Sequence, residues 1–215
     1  MPAQTSPLDQ TMPGLRSRRR FDPARPLPDP LLARILSLAA LAPSWNDLQP
    51  ARFLIVGDER NRRRLRTCVF DRREIVDAPV VVIVLGYLYP HETYLERFLA
   101  ERLGLGQITP DEAARIRIMT RRKMERVDDL KAWSGLAAHR AGSALLIAAE
   151  SLGVASAPVE EFDPAKVSKA FGIPDDHTPC ALVALGYELE AEPPPPRLAL
   201  RDLCYREHFG QPCDL

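Results

Sequence analysis

The apolar positions of the chain fall into distinct patterns, and each predicts an element. Leu31, Leu32, Ile35, Leu36 and Ala39 recur at helical spacing behind Asp29 and Pro30. This predicts a helix capped by Asp29 that stops near Ala42, because Pro43 disfavours helical geometry in the residue before it. Residues 80–85 are an unbroken run of branched apolar side chains, too short for a typical helix and right for a buried strand. Residues 52–56 read as a strand ended by Gly57, 58–69 as a short polar helix with five arginines, 154–157 as a short strand leading to Pro158, and 180–187 as the last strand. Thr109-Pro110-Asp111-Glu112 has the form of a capping box with proline at the first helical position, opening a charged, exposed helix that runs to about Leu130. Asp163-Pro164 opens another, to about Phe171. Residues 136–152 are apolar on nearly every side, with His139, Arg140, Ser143 and Glu150 among the few interruptions. Such a helix belongs inside a domain or a subunit interface.

The remaining stretches are less periodic. Residues 1–15 hold three prolines and read as a flexible arm, of which 1–14 precede the domain proper. Residues 87–108 give no clear period but carry Tyr87, Tyr89, Tyr94 and Phe98. Prolines 193–196 form an extended tether, and 200–209 a final short helix or turn. Helices and strands alternate without a βαβ rhythm, which favours an α+β domain over a doubly wound sheet. No GxGxxG or GxxxxGK[ST] loop is present, so a Rossmann or P-loop nucleotide site is unsupported.

Composition narrows the function. With 215 residues, 46% hydrophobic and 27% charged, the chain has the size and make-up of one folded domain. Basic and acidic residues both number 29, so the net charge is zero and a general nucleic-acid partner is disfavoured. Only Lys123, Lys131, Lys166 and Lys169 are lysine; every other basic residue is arginine, the better residue for bidentate phosphate contacts. Cys68, Cys180, Cys204 and Cys213 show no metal-ligand spacing, so no metal site is expected. No secretory leader or membrane-spanning run is read, which points to a cytoplasmic protein with free thiols.

Three segments offer binding chemistry. Arg16-Ser17-Arg18-Arg19-Arg20-Phe21 places a hydroxyl among guanidinium groups, a combination that holds phosphate. Residues 42–50 offer amides, a hydroxyl and the Trp45 indole to a planar polar ligand. Residues 157–163 leave a short strand and can present backbone N–H groups. Each has an ordinary alternative: a solvated basic run, a helix stop with its turn, a capped connection.

Together, however, Arg-Ser-x-Arg-x-Phe, Pro-Ser…Gln-Pro, the buried helix, Pro-Val-Glu-x-Phe-Asp and the strand 181–187 followed by prolines and Arg197 resemble, in order, the FMN-dependent nitroreductase family of NAD(P)H oxidoreductases. The resemblance runs from about Leu15 to Leu203. It implies a nitroreductase-like α+β fold: a central, mostly antiparallel sheet flanked by helices, with an extended C-terminal tail exchanged in a homodimer. Residues 15–215 would be a single FMN-binding domain, with about 87–131 as a lid and about 188–215 as a tail wrapping the partner. Arg16, Ser17 and Arg19 match the family's phosphate and ribityl contacts, and Arg197 the basic residue completing the phosphate site. Pro43, Ser44 and Trp45, with Asn46 or Asp47, match the segment one subunit lends to the other's flavin. Pro158, Val159 and Glu160 match the stretch along the isoalloxazine, where the Glu160 N–H faces N5. Asp71 falls where asparagine often bonds the pyrimidine edge, and His139 near a pocket-lining position. The implied reaction is ping-pong: hydride passes from NAD(P)H to flavin N5, then electrons pass to a nitroaromatic, quinone or enone, with no catalytic side chain. Rival expectations are a flavin-fragmenting or dehalogenating relative, and an FMN-binding protein without turnover.

Overall fold

The computed structural model describes residues 6–70, 72–190, 193–211 and 213. In chain order its elements are α1 (Pro7–Thr11), α2 (Asp29–Ala39), β1 (Ala51–Val56), α3 (Glu59–Arg66), α4 (Glu74–Asp77), β2 (Val80–Tyr87), α5 (Pro90–Thr93), α6 (Leu95–Gly104), α7 (Pro110–Met124), α8 (Leu130–Ser151), β3 (Ala155–Val159), α9 (Pro164–Phe171) and β4 (His177–Gly186). The four strands form one antiparallel sheet in the order β1-β2-β4-β3. This is the expected α+β architecture of helices on a central antiparallel sheet.

The run of residues 80–85 lacks polar interruptions because both faces of β2 are covered. Val81, Ile83 and Leu85 point into a core shared with Leu65, Ile75 and Val167, under α3, α4 and α9. Val80, Val82 and Val84 point the other way, against Leu32 and Ile35 of α2 and Ala138, Leu145 and Ala149 of α8. Strand alternation therefore feeds two separate cores from one strand. A third, small cluster of Leu48, Leu95, Leu99 and Ala113 ties α6 and α7 to the loop before β1.

Several boundaries differ from the sequence expectation, each for a local reason. Helix α2 starts at Asp29 itself, behind Pro28, and ends at Ala39, where Leu41 and Ala42 continue as tighter three-residue turns. Helix α7 closes at Met124 rather than near Leu130, and Asp129 caps a new helix by accepting from the Ala132 N–H. Helix α8 thus begins at Leu130, two turns before residue 136. Those turns read as polar and small because they press on the sheet: a Cβ on Gly86 would lie 2.6 Å from Ser134 Oγ. Strand β3 runs through Pro158, tolerated because β3 is an edge strand with one side unpaired. Residues 6–14, expected within a flexible arm, form α1 and a following turn, opened by a reciprocal Ser6–Asp9 capping box. The aromatic stretch without clear period holds α5 and α6.

Candidate functional site

At the β3 edge, three chain segments converge. The extended Arg16–Phe21 segment is fixed by backbone bonds: the Arg18 N–H donates to Ser156 O at 2.9 Å, Asp22 N–H to Tyr187 O at 2.9 Å, and Leu189 N–H to Arg20 O at 3.1 Å. Its first four side chains alternate. Arg16 and Arg18 turn inward, whereas Ser17 and Arg19 are exposed. The chain beyond β3 is fixed from the other side by an isolated bridge between Val69 and Phe162 and by the Asp163 N–H donating to Cys68 O at 2.9 Å. Arg72 then reaches across to Glu161 at 2.6 Å, with Glu74 at 3.8 Å.

Between the Arg19–Phe21 stretch and the chain from Arg72 to Asp77 lies an open cavity of about 670 Å³, whose lining includes Arg19, Arg20, Arg72, Arg73, Glu74 and Asp77. Arg20 is paired with Glu190 at 2.5 Å. Arg19 and Arg73 pair with no acid among the described residues, which leaves their charge to a ligand. Past Val159, the N–H groups of Glu160 and Glu161 donate to no acceptor among the described residues. Unengaged amides at the end of β3, and exposed guanidinium and hydroxyl groups on the segment bonded to β3, suit a ligand with both a phosphate and a polar ring edge. A phosphorylated flavin fits that donor set. Arg16 departs from it: its guanidinium donates to Glu188, at 3.1 Å, and to Gly14 O, while its buried Nε has no partner.

The β1 edge is built differently. Asn46, Asp47 and Gln49 all have left-handed backbone, with φ of 49, 54 and 46°. Asparagine and aspartate tolerate this region better than glutamine does. The loop is held in shape by the Gln49 N–H donating to Ser44 Oγ at 2.9 Å, by fully buried Leu48, and by Asn46 Nδ2 donating to Thr120 Oγ1 of α7 at 2.9 Å. With Asn46 engaged inside the chain, Pro43, Trp45 and Asp47 face outward. Strands β2 and β4 separate this loop from the β3 edge, roughly 14 Å at the usual strand spacing.

The remaining nominated residues lie elsewhere. His139 stands on the outer face of α8, its Nδ1 2.8 Å from Gly135 O, which requires the proton on Nδ1. It shares that face with Leu136, 62% exposed, and with Arg140 and Ser143. Arg197 is exposed on the proline-rich segment. Asp71 lies outside the described residues. Among the described residues no acidic, histidine or cysteine cluster could hold a metal, and no helix is long and apolar enough to cross a membrane.

Residues 15–187 match the model of the nitroreductase family. A Thermus thermophilus protein named NADH dehydrogenase is 33% identical over 185 residues, covering 86% of this chain and 88% of the relative. The chain belongs to the nitroreductase family. An oxygen-insensitive NAD(P)H nitroreductase of Enterobacter cloacae is 26% identical over 182 residues, covering 80% of this chain and 84% of the relative. Among solved structures, a nitroreductase-like protein of Streptococcus mutans superposes with a TM-score of 0.84 at 23% identity, covering 93% of this chain and 97% of that one. A protein of Exiguobacterium sibiricum solved in complex with FMN superposes at 0.81 and 23% identity, covering 95% of this chain and 98% of that one. These likenesses establish the nitroreductase fold.

Within this nitroreductase-family chain, the structure adds contacts of four residues that sequence reasoning passed over: Arg18, Thr120, Arg72 and Glu161. Arg18 stood at an unspecified position of the motif, between Ser17 and Arg19, yet it is the buried arginine of the segment. Its signal was the alternation itself, together with Glu150, a lone carboxylate on an apolar helix. Thr120 and the pairing of Arg72 with Glu161 join segments distant in sequence and carry no local signal.

Proposed function

We propose that the protein is an FMN-dependent oxidoreductase that takes electrons from NAD(P)H and passes them to a small planar acceptor, a nitroaromatic, quinone or enone, as a homodimer. One observation carries this reading: the residues suited to a flavin are divided between opposite edges of the sheet. Phosphate and amide donors lie at the β3 edge, and the outward-facing Pro43–Asp47 loop lies at the β1 edge. Neither edge alone encloses a ligand, and two-fold pairing brings unlike edges together. Exposed apolar side chains support the pairing: Leu136 on α8, and Leu198, Leu200, Leu203 and Phe209 on the tail, the last 89% exposed.

FMN, when bound, supplies the redox chemistry at N5. The chain supplies binding and orientation. Ser17 and Arg19 take the phosphate, joined by Arg197 from the tail, and Arg16 lies behind them. Pro158 and Val159 carry the chain along the ring, and the free Glu160 N–H meets its polar edge. Asp71 is assigned to the pyrimidine edge by its place in the sequence alone, next to Arg72 and Arg73. Pro43, Ser44, Trp45 and Asp47 of the second copy close the site against water, with Asn46 anchoring their loop to α7. Residues 87–131 form the lid, and 188–215 wrap the partner within a single domain, 15–215. His139 sits in the subunit contact. The names of the Thermus and Enterobacter relatives and the FMN held by the Exiguobacterium protein favour the same chemistry.

The test is the visible spectrum of the purified protein before and after anaerobic NADH or NADPH. Flavin bands that bleach are expected, with colour restored by a quinone or nitroaromatic. A colourless protein that takes up no FMN overturns the cofactor, and bands that persist with both donors overturn the turnover.

A further inference from the structure

The Arg18 side chain is 7% exposed, yet all of its N–H groups are engaged. Its Nε donates to Glu188 at 3.1 Å. Its Nη1 donates to Gly14 O at 2.9 Å and Arg16 O at 3.1 Å, and its Nη2 to both oxygens of Glu150 at 3.2 and 3.1 Å. Arg16 shares Glu188, so among the described residues two guanidinium groups stand against two carboxylates. The packing leaves no slack: a Cβ on Gly14 would lie 2.3 Å from Glu150 Oε1. One side chain thus ties the Arg16–Phe21 segment to α8, to the exit of β4 and to its own upstream turn.

We propose that Arg18 is a positioning residue for the phosphate end of the ligand, a role that rests on the flavin reading above. In an extended segment, neighbouring side chains point to opposite sides, and a slip of one residue exchanges them. Anchoring Arg18 inward therefore directs Ser17 and Arg19 outward together. Neutralising Glu188 and Glu150 within the cluster also keeps those carboxylates from drawing Arg19 inward. Arg18 touches no ligand atom in this arrangement. It acts through the two residues beside it, so its loss weakens recognition of a phosphate and leaves recognition of a ring unchanged.

The experiment compares binding of FMN and of riboflavin, which lacks the phosphate, to the flavin-free full chain by fluorescence quenching. Wild type is expected to prefer FMN. In Arg18→Met the FMN affinity is expected to fall about tenfold, the equivalent of one charge-assisted hydrogen bond, with riboflavin affinity held within about twofold. Glu150→Gln, which keeps the shape and removes one anchor, is expected to shift the same ratio in the same direction by about threefold and guards against an Arg18 variant that fails to fold. A purely structural Arg18 lowers thermal stability but weakens both flavins equally, or neither, and that result overturns the proposal. Wild type that binds both flavins equally also overturns it, because there is then no phosphate recognition to position. Wild type that binds neither overturns the flavin reading and this role with it.

Discussion

The two edges of the sheet show contrasting ways of presenting side chains to a ligand. At the β3 edge the backbone is relaxed and extended, and presentation is set by a buried ionic cluster behind the exposed residues. At the β1 edge the backbone itself is strained, with left-handed residues held by Leu48 and the Asn46–Thr120 bond. The first edge can lose its ligand-facing atoms without disturbing the fold. The second cannot lose its anchors without relaxing into another shape. Half-sites of such different construction fit a site assembled from two chains, each edge stable before it meets the other.

The comparison breaks most severely if both edges serve one site within one chain. A chain carrying Ser17→Ala and Arg19→Glu, and a second carrying Trp45→Ala and Asp47→Arg, are each expected to lose at least about tenfold in reductase activity. Unfolded and refolded together in equal amounts, they should recover about a quarter of wild-type activity, because half the dimers are mixed and each mixed dimer regains one intact site. Mixed dimers that form, by tag capture, yet stay inactive would mean that each site draws both edges from a single chain.

A smaller effect sharpens the strain argument. Asn46→Ala removes the bond to Thr120 and keeps the left-handed backbone, at a cost of about 2 kcal/mol. Asn46→Gly loses the same bond but relieves the backbone, so it should be the more stable of the two by about 1 kcal/mol, or roughly 2–4 °C in melting temperature. Equal melting temperatures would mean that the loop's conformation is set elsewhere.

The smallest effect concerns the covered interior between the edges. Burial pushes the Cys180 thiol up to about 11, so at pH 8 only roughly a thousandth of it is the reactive thiolate. An aromatic disulfide reagent should therefore label Cys180 far more slowly in the native protein than after unfolding, as peptide mapping would reveal. Rapid native labelling of Cys180 would show that the β4–α8 contact opens readily.

The elements legible in the sequence are those whose causes are local. Residues 80–85 announced a buried strand because two cores demand apolar side chains on both faces, and Thr109–Glu112 announced α7 through a cap made within four residues. The first turns of α8 were missed because tight packing against Gly86 called for Ser134 and Gly135, which resemble a loop. The exposed donors of the β3 edge were legible because Ser17, Arg19 and Glu160 stand in short motifs. Their supports were not, since Arg18 meets Glu150 and Glu188, and Arg72 meets Glu161, only in three dimensions.

The reach of Arg18 to Glu188 spans 170 residues of chain. On the ribosome, where the amino end emerges first, the Arg16–Phe21 segment would wait until the chain through Glu188 had been synthesised before its clamp could close. Its ligand-binding side chains would therefore be set last, and a cofactor would be taken up by the finished chain rather than by the growing one.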